Sequence, residues 1–421
     1  LSQALGSFVL QALAARELGA AGLGAFSLMY GAILLGTAIT SGLIGDSLTV
    51  LARDDRWTRA ALQNWCVIVS AVAGIVAVTA GVASGALTVG TAVAFGAVTF
   101  VFIVEDAMRR ALMAVFFFWR LPIVDFASLI GSLAYLGIVR AGGGTATLGQ
   151  FLVALLVGQA IAAVVAVPLL PPHERPIRLL RSHEMGTVFG FGAWRAAQQS
   201  VRPGALTAAR IIVTLLISVA AYGKVEAARV YMAPAILIVS GLGSMMLPMW
   251  VRRRHDGLSK LIRRADIAAG GLWIVTLTVG AIGTAALPVF GGLLTDGKYH
   301  IQAGAVFGWA VYAAATAAVT PYGTLAALQG RQGRVMLMRL VEPVIGLAVL
   351  ALVLGVAGGS ATLTPYVLGL GALASGLGIR LLILPRMLST ETEGVHRASK
   401  RAPRHRATTK QFSREYAAQV S

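Results

Sequence analysis

Cysteine, histidine and acidic side chains are all scarce in this chain, and each scarcity removes a class of function. The single cysteine, Cys66, has no partner for an intrachain disulfide and cannot seed a cysteine-rich metal site; lying in an apolar run, it reads as a small buried side chain. The six histidines, His173, His183, His255, His300, His396 and His405, fall between apolar runs or in the tail, and no two are spaced as zinc ligands on a helix. No glycine loop ends in Lys-Ser or Lys-Thr, which argues against nucleotide hydrolysis. No catalytic constellation stands out, so the chain reads as a non-enzyme without cofactor or metal.

Charge is also sparse. Only 12% of the 421 residues are charged, and 17 acidic residues face 35 basic ones, while 57% of the chain is hydrophobic. That balance lies outside the soluble globular range and marks a polytopic membrane protein. The formal charge of +18 resembles a nucleic-acid signature until the basic residues are located. They sit in short gaps between apolar runs and in the tail, which is the positive-inside pattern, and no nucleic-acid partner is expected.

Apolar runs of about 20 residues, enough to span a bilayer, occupy roughly 1–19, 25–51, 61–81, 86–108, 121–139, 148–170, 186–221, 226–250, 267–293, 303–326, 336–357 and 362–385. Twelve helices follow, giving an all-α membrane protein. Every second gap is basic: Arg53, Arg56 and Arg59; Arg109, Arg110 and Arg120; Arg175, Arg178 and Arg181; Arg252 to Arg254 with Lys260, Arg263 and Arg264; Arg331, Arg334 and Arg339. The remaining gaps carry little beyond Arg140, Lys224 and Lys298. This alternation places both termini in the cytoplasm with odd helices running outward. The chain begins at Leu1 in apolar sequence, so a short segment is expected to precede it.

An ungapped internal repeat appears at a shift of 199 residues. Gly24 falls on Gly223, Ser41-Gly42-Leu43 on Ser240-Gly241-Leu242, and Arg53 on Arg252, which reads as a loop glycine and a basic exit kept in register. Six helices followed by six in the same orientation make two parallel lobes related by an axis along the membrane normal. The expected units are an N-lobe at 1–170, a cytoplasmic linker at 171–185, a C-lobe at 186–388 and a basic tail at 389–421, expected to be disordered. The tail carries Arg397, Lys400, Arg401, Arg404, Arg406, Lys410 and Arg414, and it either docks on anionic membrane lipids, at ~1 kcal/mol per basic residue, or is a solvated extension.

Residues 184–222 carry the candidate site. Arg195, Gln198, Gln199, Arg202 and Arg210 lie along one side of an apolar helix, and an arginine at mid-bilayer costs roughly 2.5 to 3.5 kcal/mol, so the stripe faces protein or a water-filled cavity. Guanidinium groups match phosphate oxygens bidentately, so Arg195, Arg202 and Arg210 are candidate ligands for a phosphate-bearing head, with Gln198 and Gln199 for sugar hydroxyls. Gln11 and Arg16 on the first helix are candidate partners if the repeat sets the first and seventh helices across one cavity. Pro203 and Gly204 interrupt the seventh helix and offer a hinge. A competing reading makes 185–202 a surface amphipathic helix whose arginines reach lipid phosphates.

Asp46, Asp125 and Glu342 lie within apolar runs and are candidates for coupling to a proton or sodium ion. The alternative is structural pairing: Glu342 with Arg339, and Glu105 and Asp106 with Arg109 and Arg110.

Ala15-Arg16-Glu17-Leu18-Gly19 with Gly22, Gly24 and Phe26 resembles the start of polysaccharide-transporter proteins, the lipid-linked oligosaccharide flippase branch of the multidrug/oligosaccharidyl-lipid/polysaccharide (MOP) exporter superfamily. Gly223, Ala227, Ala228, Pro234 and Leu247-Pro248 before Arg252 repeat the likeness, and Gly297 with Tyr299 resembles a short loop of that family. Ala209 and Arg210 stand near where the family often has an acidic residue, and Val225 where it has an aromatic. The first departure leaves the resemblance without an acidic ion-coupling site in the seventh helix. The resemblance implies a flippase that moves a lipid-linked saccharide to the outer leaflet by alternating access, with glycosyltransferases or a polymerase of its pathway as partners. An ion-coupled exporter of small cations on the same fold, and a membrane scaffold recruiting glycosyltransferases through its tail, remain as alternatives.

Overall fold

A computed structural model describes residues 2–51, 55–175, 184–244, 246, 249–250, 257–328 and 332–386. Most of the linker, the tail, Arg53, Pro248 and Arg252 lie outside the described residues. The rest is helical, with no strand among the described residues. Lipid offers no partner to a free N–H or C=O, so an apolar run inside a bilayer closes its hydrogen bonds within itself.

Among the described residues twelve long helices follow one another: α1 (Ser2–Glu17), α2 (Gly19–Thr40), α3 (Arg56–Ala83), α4 (Val89–Ala114), α5 (Leu121–Ala141), α6 (Leu148–Leu169), α7 (Met185–Leu216), α8 (Val219–Ser244), α9 (Leu258–Thr295), α10 (Ala303–Leu328), α11 (Gln332–Gly355) and α12 (Thr364–Gly378). A wide π turn at Ser41–Gly45 extends α2, and another at Ile379–Ile383 extends α12. Several starts are set by local chemistry. Asp55 accepts the Thr58 N–H at 2.9 Å ahead of α3, and Thr147 and Gln150 form a reciprocal capping box ahead of α6.

The helix count agrees with the expectation, but several boundaries move, two of them at turns that matter for the site. The apolar pattern places turns near 20–24 and 222–225; the chain instead turns at Leu18 and at Ile217–Ser218. Gly24 and Gly223 are therefore not loop glycines. They lie inside α2 and α8, where these helices cross so closely that a Cβ on Gly24 would stand 2.2 Å from the Val219 carbonyl oxygen. Lipid tails are as apolar as leucine, so close backbone approach of this kind is what binds membrane helices together.

The two largest hydrophobic clusters divide between the halves, while a smaller one joins Leu43, Leu48 and Leu62 of the first half to Val188 and Ala196 of the second. One cluster, including Leu10, Phe26, Ile33, Phe102 and Phe151, draws its buried members from the first half apart from Ala227. The other, including Val213, Val225, Trp309, Leu350 and Leu368, belongs wholly to the second. The halves meet where α2 packs on α7 and α8, α1 on α8 and α9, and α3 on α7.

Nine helical segments among the described residues are long and apolar enough to cross a membrane. Outside that set are α1, which is 16 residues long, and α7 and α8, which carry Arg195, Arg202, Arg210, Glu226 and Arg229. All three lie at the seam between the halves.

The 32 residues of α7 form one helix of roughly 48 Å at 1.5 Å per residue. Its first half packs on the N-terminal half of the molecule: a Cβ on Gly42 would meet the Ala196 backbone nitrogen at 2.3 Å, and the Trp65 indole donates to the Met185 carbonyl at 3.0 Å. Residues 185–202 are thus no separate surface helix. The expected interruption at Pro203 and Gly204 is also absent in this conformation, where the helix continues through both.

Candidate functional site

At the seam, turning the chain at Ile217–Ser218 instead of five residues later draws Glu226 and Arg229 deep into α8. These two charges are separated by three residues, so they share a face, and the Arg229 Nε donates to Glu226 Oε1 at 2.8 Å. The other carboxylate oxygen accepts from the Tyr222 hydroxyl at 2.6 Å, and Tyr222 in turn accepts from Arg210 Nε at 2.9 Å. Arg229 also donates to the Gln11 side-chain oxygen on α1. Arg210, Tyr222, Glu226 and Gln11 are all buried.

The Arg210 guanidinium lies against Gly31 of α2, where a Cβ would be 1.7 Å from Nη1. One polar chain therefore ties α7 and α8 of the second half to α1 and α2 of the first. Burying charges in this way costs desolvation that pairing repays only with good geometry, so the network is weak evidence for stability and a strong pointer to a functional site.

Beside it a cavity of about 390 Å³ separates the halves, lined by Gln3, Ser7, Gln11, Tyr30, Thr37, Asp106, Arg110 and Arg229 among others. Arg110 Nε pairs with Asp106 at 2.7 Å. The Arg229 side chain is 23% exposed, and with Gln11 it brings the network to the cavity wall. The cavity extends from the Gln11–Arg229 contact toward Gln3 and Arg110, the end of the bundle that carries the basic gaps.

The opposite end is shut. Arg16 meets Asp296 at 3.1 Å, Lys298 donates to the Arg16 and Glu17 carbonyls at 2.8 and 3.1 Å, and the Tyr299 hydroxyl donates to the Ala15 carbonyl at 3.1 Å. Burial pushes the Tyr299 hydroxyl up to about 12, so it remains a proton donor at any working pH.

The residues expected from sequence divide among several places. Arg210 and Gln11 join the buried network. Arg195 lies elsewhere, 3.8 Å from Asp46 at the basic end, with its guanidinium 5.9 Å from the Phe191 ring centroid. Arg202, an exposed residue, lies 5.7 Å from the Tyr312 ring centroid and within electrostatic reach of Glu342, both of the second half. Gln199 is exposed and Gln198 half-buried, and neither lines the cavity.

Arg16 belongs to the closed end, remote from the cavity. Asp125 accepts from Arg109 Nε at 2.7 Å and from the Ser2 hydroxyl. Gly204 lies against Leu35 of α2, and Pro203 is half-buried within the unbroken helix. The seventh-helix stripe therefore splits among three surroundings and is not one wall.

Sequence reasoning missed Glu226, Arg229, Tyr222 and Tyr30. With the eighth run begun at 226, the two charges read as helix-end residues. The available signal was the repeat itself: a shift of 199 carries Gln11 onto Arg210 and Tyr30 onto Arg229. These pairs occupy related positions, since Gln11 contacts Arg229 while Arg210 lies against Gly31, next to Tyr30.

No protein-family model matches the chain, and no curated protein matches it. Solved structures do. The chain is similar to the inward-facing conformation of a multidrug-resistance MATE-family transporter of the MOP superfamily, with TM-score 0.69 and 14% identity over 93% of this chain and 96% of that one. An outward-facing conformation of such a transporter gives TM-score 0.60 at 13% identity, over 93% of each chain. A MOP-superfamily transporter from Pyrococcus furiosus, described as having a binding pocket of reverse polarity that suggests a different function, gives 0.56 at 12% identity over 93% and 94%. Twelve helices in this order, with a polar seam between two six-helix cores, share the fold of the MOP-superfamily transporters.

Proposed function

We propose that this protein is a multi-pass membrane transporter that carries a lipid-linked, phosphate-bearing saccharide from the inner to the outer leaflet by alternating access of its two halves, both termini being cytoplasmic. Arg229 carries the reading. It places a guanidinium in the cavity wall between the halves, with Arg210 behind it and one carboxylate, Glu226, between them. Two cations against one anion leave a positive charge for an anionic head, and Arg110 is already balanced by Asp106.

The basic end of the bundle is the cytoplasmic one, and the cavity extends toward it while the other end is clasped. Greater similarity to an inward-facing structure than to an outward-facing one supports a substrate entering from the inner leaflet. Gln11 and Gln3 are placed to bond sugar hydroxyls. Asp46, Asp125 and Glu342 remain coupling candidates, each beside an arginine.

The names of several neighbours favour a second reading, export of small cationic drugs. Asp106 is the acidic side chain in this cavity, and its pairing with Arg110 counts against it. Reconstituted vesicles separate the two. Translocation of a lipid-linked saccharide is expected for the parent, lost in Arg229→Gln and retained in Arg195→Gln; efflux of a cationic dye without saccharide translocation would replace the flippase with the exporter.

A further inference from the structure

Glu226 is the least explained group among the described residues: a 1% exposed carboxylate within a helix of the seam, holding cations that the proposed substrate needs. Both of its oxygens are taken. Oε1 accepts from Arg229 Nε and lies 2.7 Å from Nη2, and Oε2 accepts from Tyr222, which links it to Arg210. The charged and titratable groups around it among the described residues are Tyr222 and Arg229 of α8, Arg210 of α7 and, beyond Arg229, Tyr30 of α2. Gln11 of α1 is neutral. The cluster therefore carries a net charge of +1 at rest.

We propose that Glu226 is a charge-matching residue that occupies the anion site until substrate arrives and takes up one proton when a pyrophosphate diester binds. This deepens, and rests on, the anionic-substrate reading above. A phosphodiester with one negative charge neutralises the resting cluster as it stands. A pyrophosphate diester brings two, and the second leaves Glu226 competing for the same guanidinium. A buried carboxylate that loses its cation neutralises itself by binding a proton. The step is balanced: one proton leaves the water of the cavity and joins a Glu226 oxygen, giving a neutral acid that still hydrogen-bonds Tyr222. One proton then travels with each pyrophosphate-linked substrate and none with a phosphate-linked one.

The test is calorimetric titration of the purified full-length protein in buffers of different ionisation enthalpy. The probes are farnesyl-pyrophosphoryl-N-acetylglucosamine and its monoanionic farnesyl-phosphoryl counterpart, neither of which titrates near neutrality. The parent is expected to take up about one proton per pyrophosphoryl probe and none per phosphoryl probe, its affinity for the former falling about tenfold per pH unit as pH rises. Glu226→Gln is expected to bind the pyrophosphoryl probe without proton uptake or pH slope. Should that variant not fold, the contrast between the two probes and the pH slope of the parent decide alone. Binding by the parent without proton uptake, or with the same uptake in Glu226→Gln, overturns the proposal and leaves the flippase standing. Binding of neither probe by the parent overturns both.

Discussion

Gly24 and Gly223, 199 residues apart in sequence, meet each other across the seam between the two halves. The contact is reciprocal. A Cβ on Gly24 would strike the carbonyl oxygen of Val219, and a Cβ on Gly223 would stand 1.7 Å from that of Ala20, the residue to which Val219 corresponds under the same shift. Such an exchange is the mark of a two-fold relation, here between repeats of one chain. The local axis passes between these glycines, one turn or two from the Gln11–Arg229 contact.

That crossing has no room for a methyl group on either side. Gly24→Ala and Gly223→Ala are each expected to lower stability by about 1 to 3 kcal/mol, as overpacking does, measured by thermal unfolding in detergent. The double variant should cost less than the sum, because both methyl groups force the same two helices apart. Gly270→Ala, in α9 with nothing within 4 Å of its would-be Cβ, should be neutral or stabilising.

Glu226 and Arg229 should show strong coupling. Removing either partner alone leaves a buried charge and is expected to cost about 3 to 5 kcal/mol, whereas Glu226→Leu with Arg229→Met should recover most of that. A double-variant loss equal to the sum of the two single losses would show that the two residues are not coupled.

Gly31→Ala offers a route to Arg210 without touching it. The new methyl group meets the end of a flexible side chain, so the guanidinium moves and its bond to Tyr222 is lost. The expected stability cost is about 1 kcal/mol, the net worth of a hydrogen bond. Transport should fall as far as in Arg210→Gln; normal transport would remove Arg210 from the site.

In the clasp at the closed end, the Arg16–Asp296 pair is about half exposed, so breaking it should change stability little. Its role is conformational. In a Cys66→Ser background, Arg16→Cys with Asp296→Cys joined by a short reducible cross-linker should stop transport, and reductant should restore it. Transport unaffected by the cross-link would mean that this end does not open.

The acidic residues illustrate which part of the site was legible. Asp106 with Arg110 is a pair within one helix, four residues apart, and spacing alone finds it. Asp46, in the helical turn Asp46–Val50 that follows the π turn after α2, meets Arg195 of α7, and Asp125 with Arg109 joins α5 to α4; nothing in the local pattern selects either partner. Arg202 and Arg210 fall two turns apart on one helix, yet Arg202 lies by Tyr312 of the second half while Arg210 reaches Gly31 of the first. An arginine side chain is long enough for its head to leave the stripe its Cα belongs to.

The sequence by itself determined the twelve helices, the basic end of the bundle and the repeat. Apolar length dictates helices because backbone groups in lipid have no other partners, and arginine placement follows from the cost of moving charge through the membrane. Only the tertiary structure decided which polar groups meet. Partnership across a seam depends on the depth and rotation of each helix, and a turn moved by five residues changes both: it turned two apparent loop glycines into a helix crossing and two apparent end charges, Glu226 and Arg229, into the centre of the site.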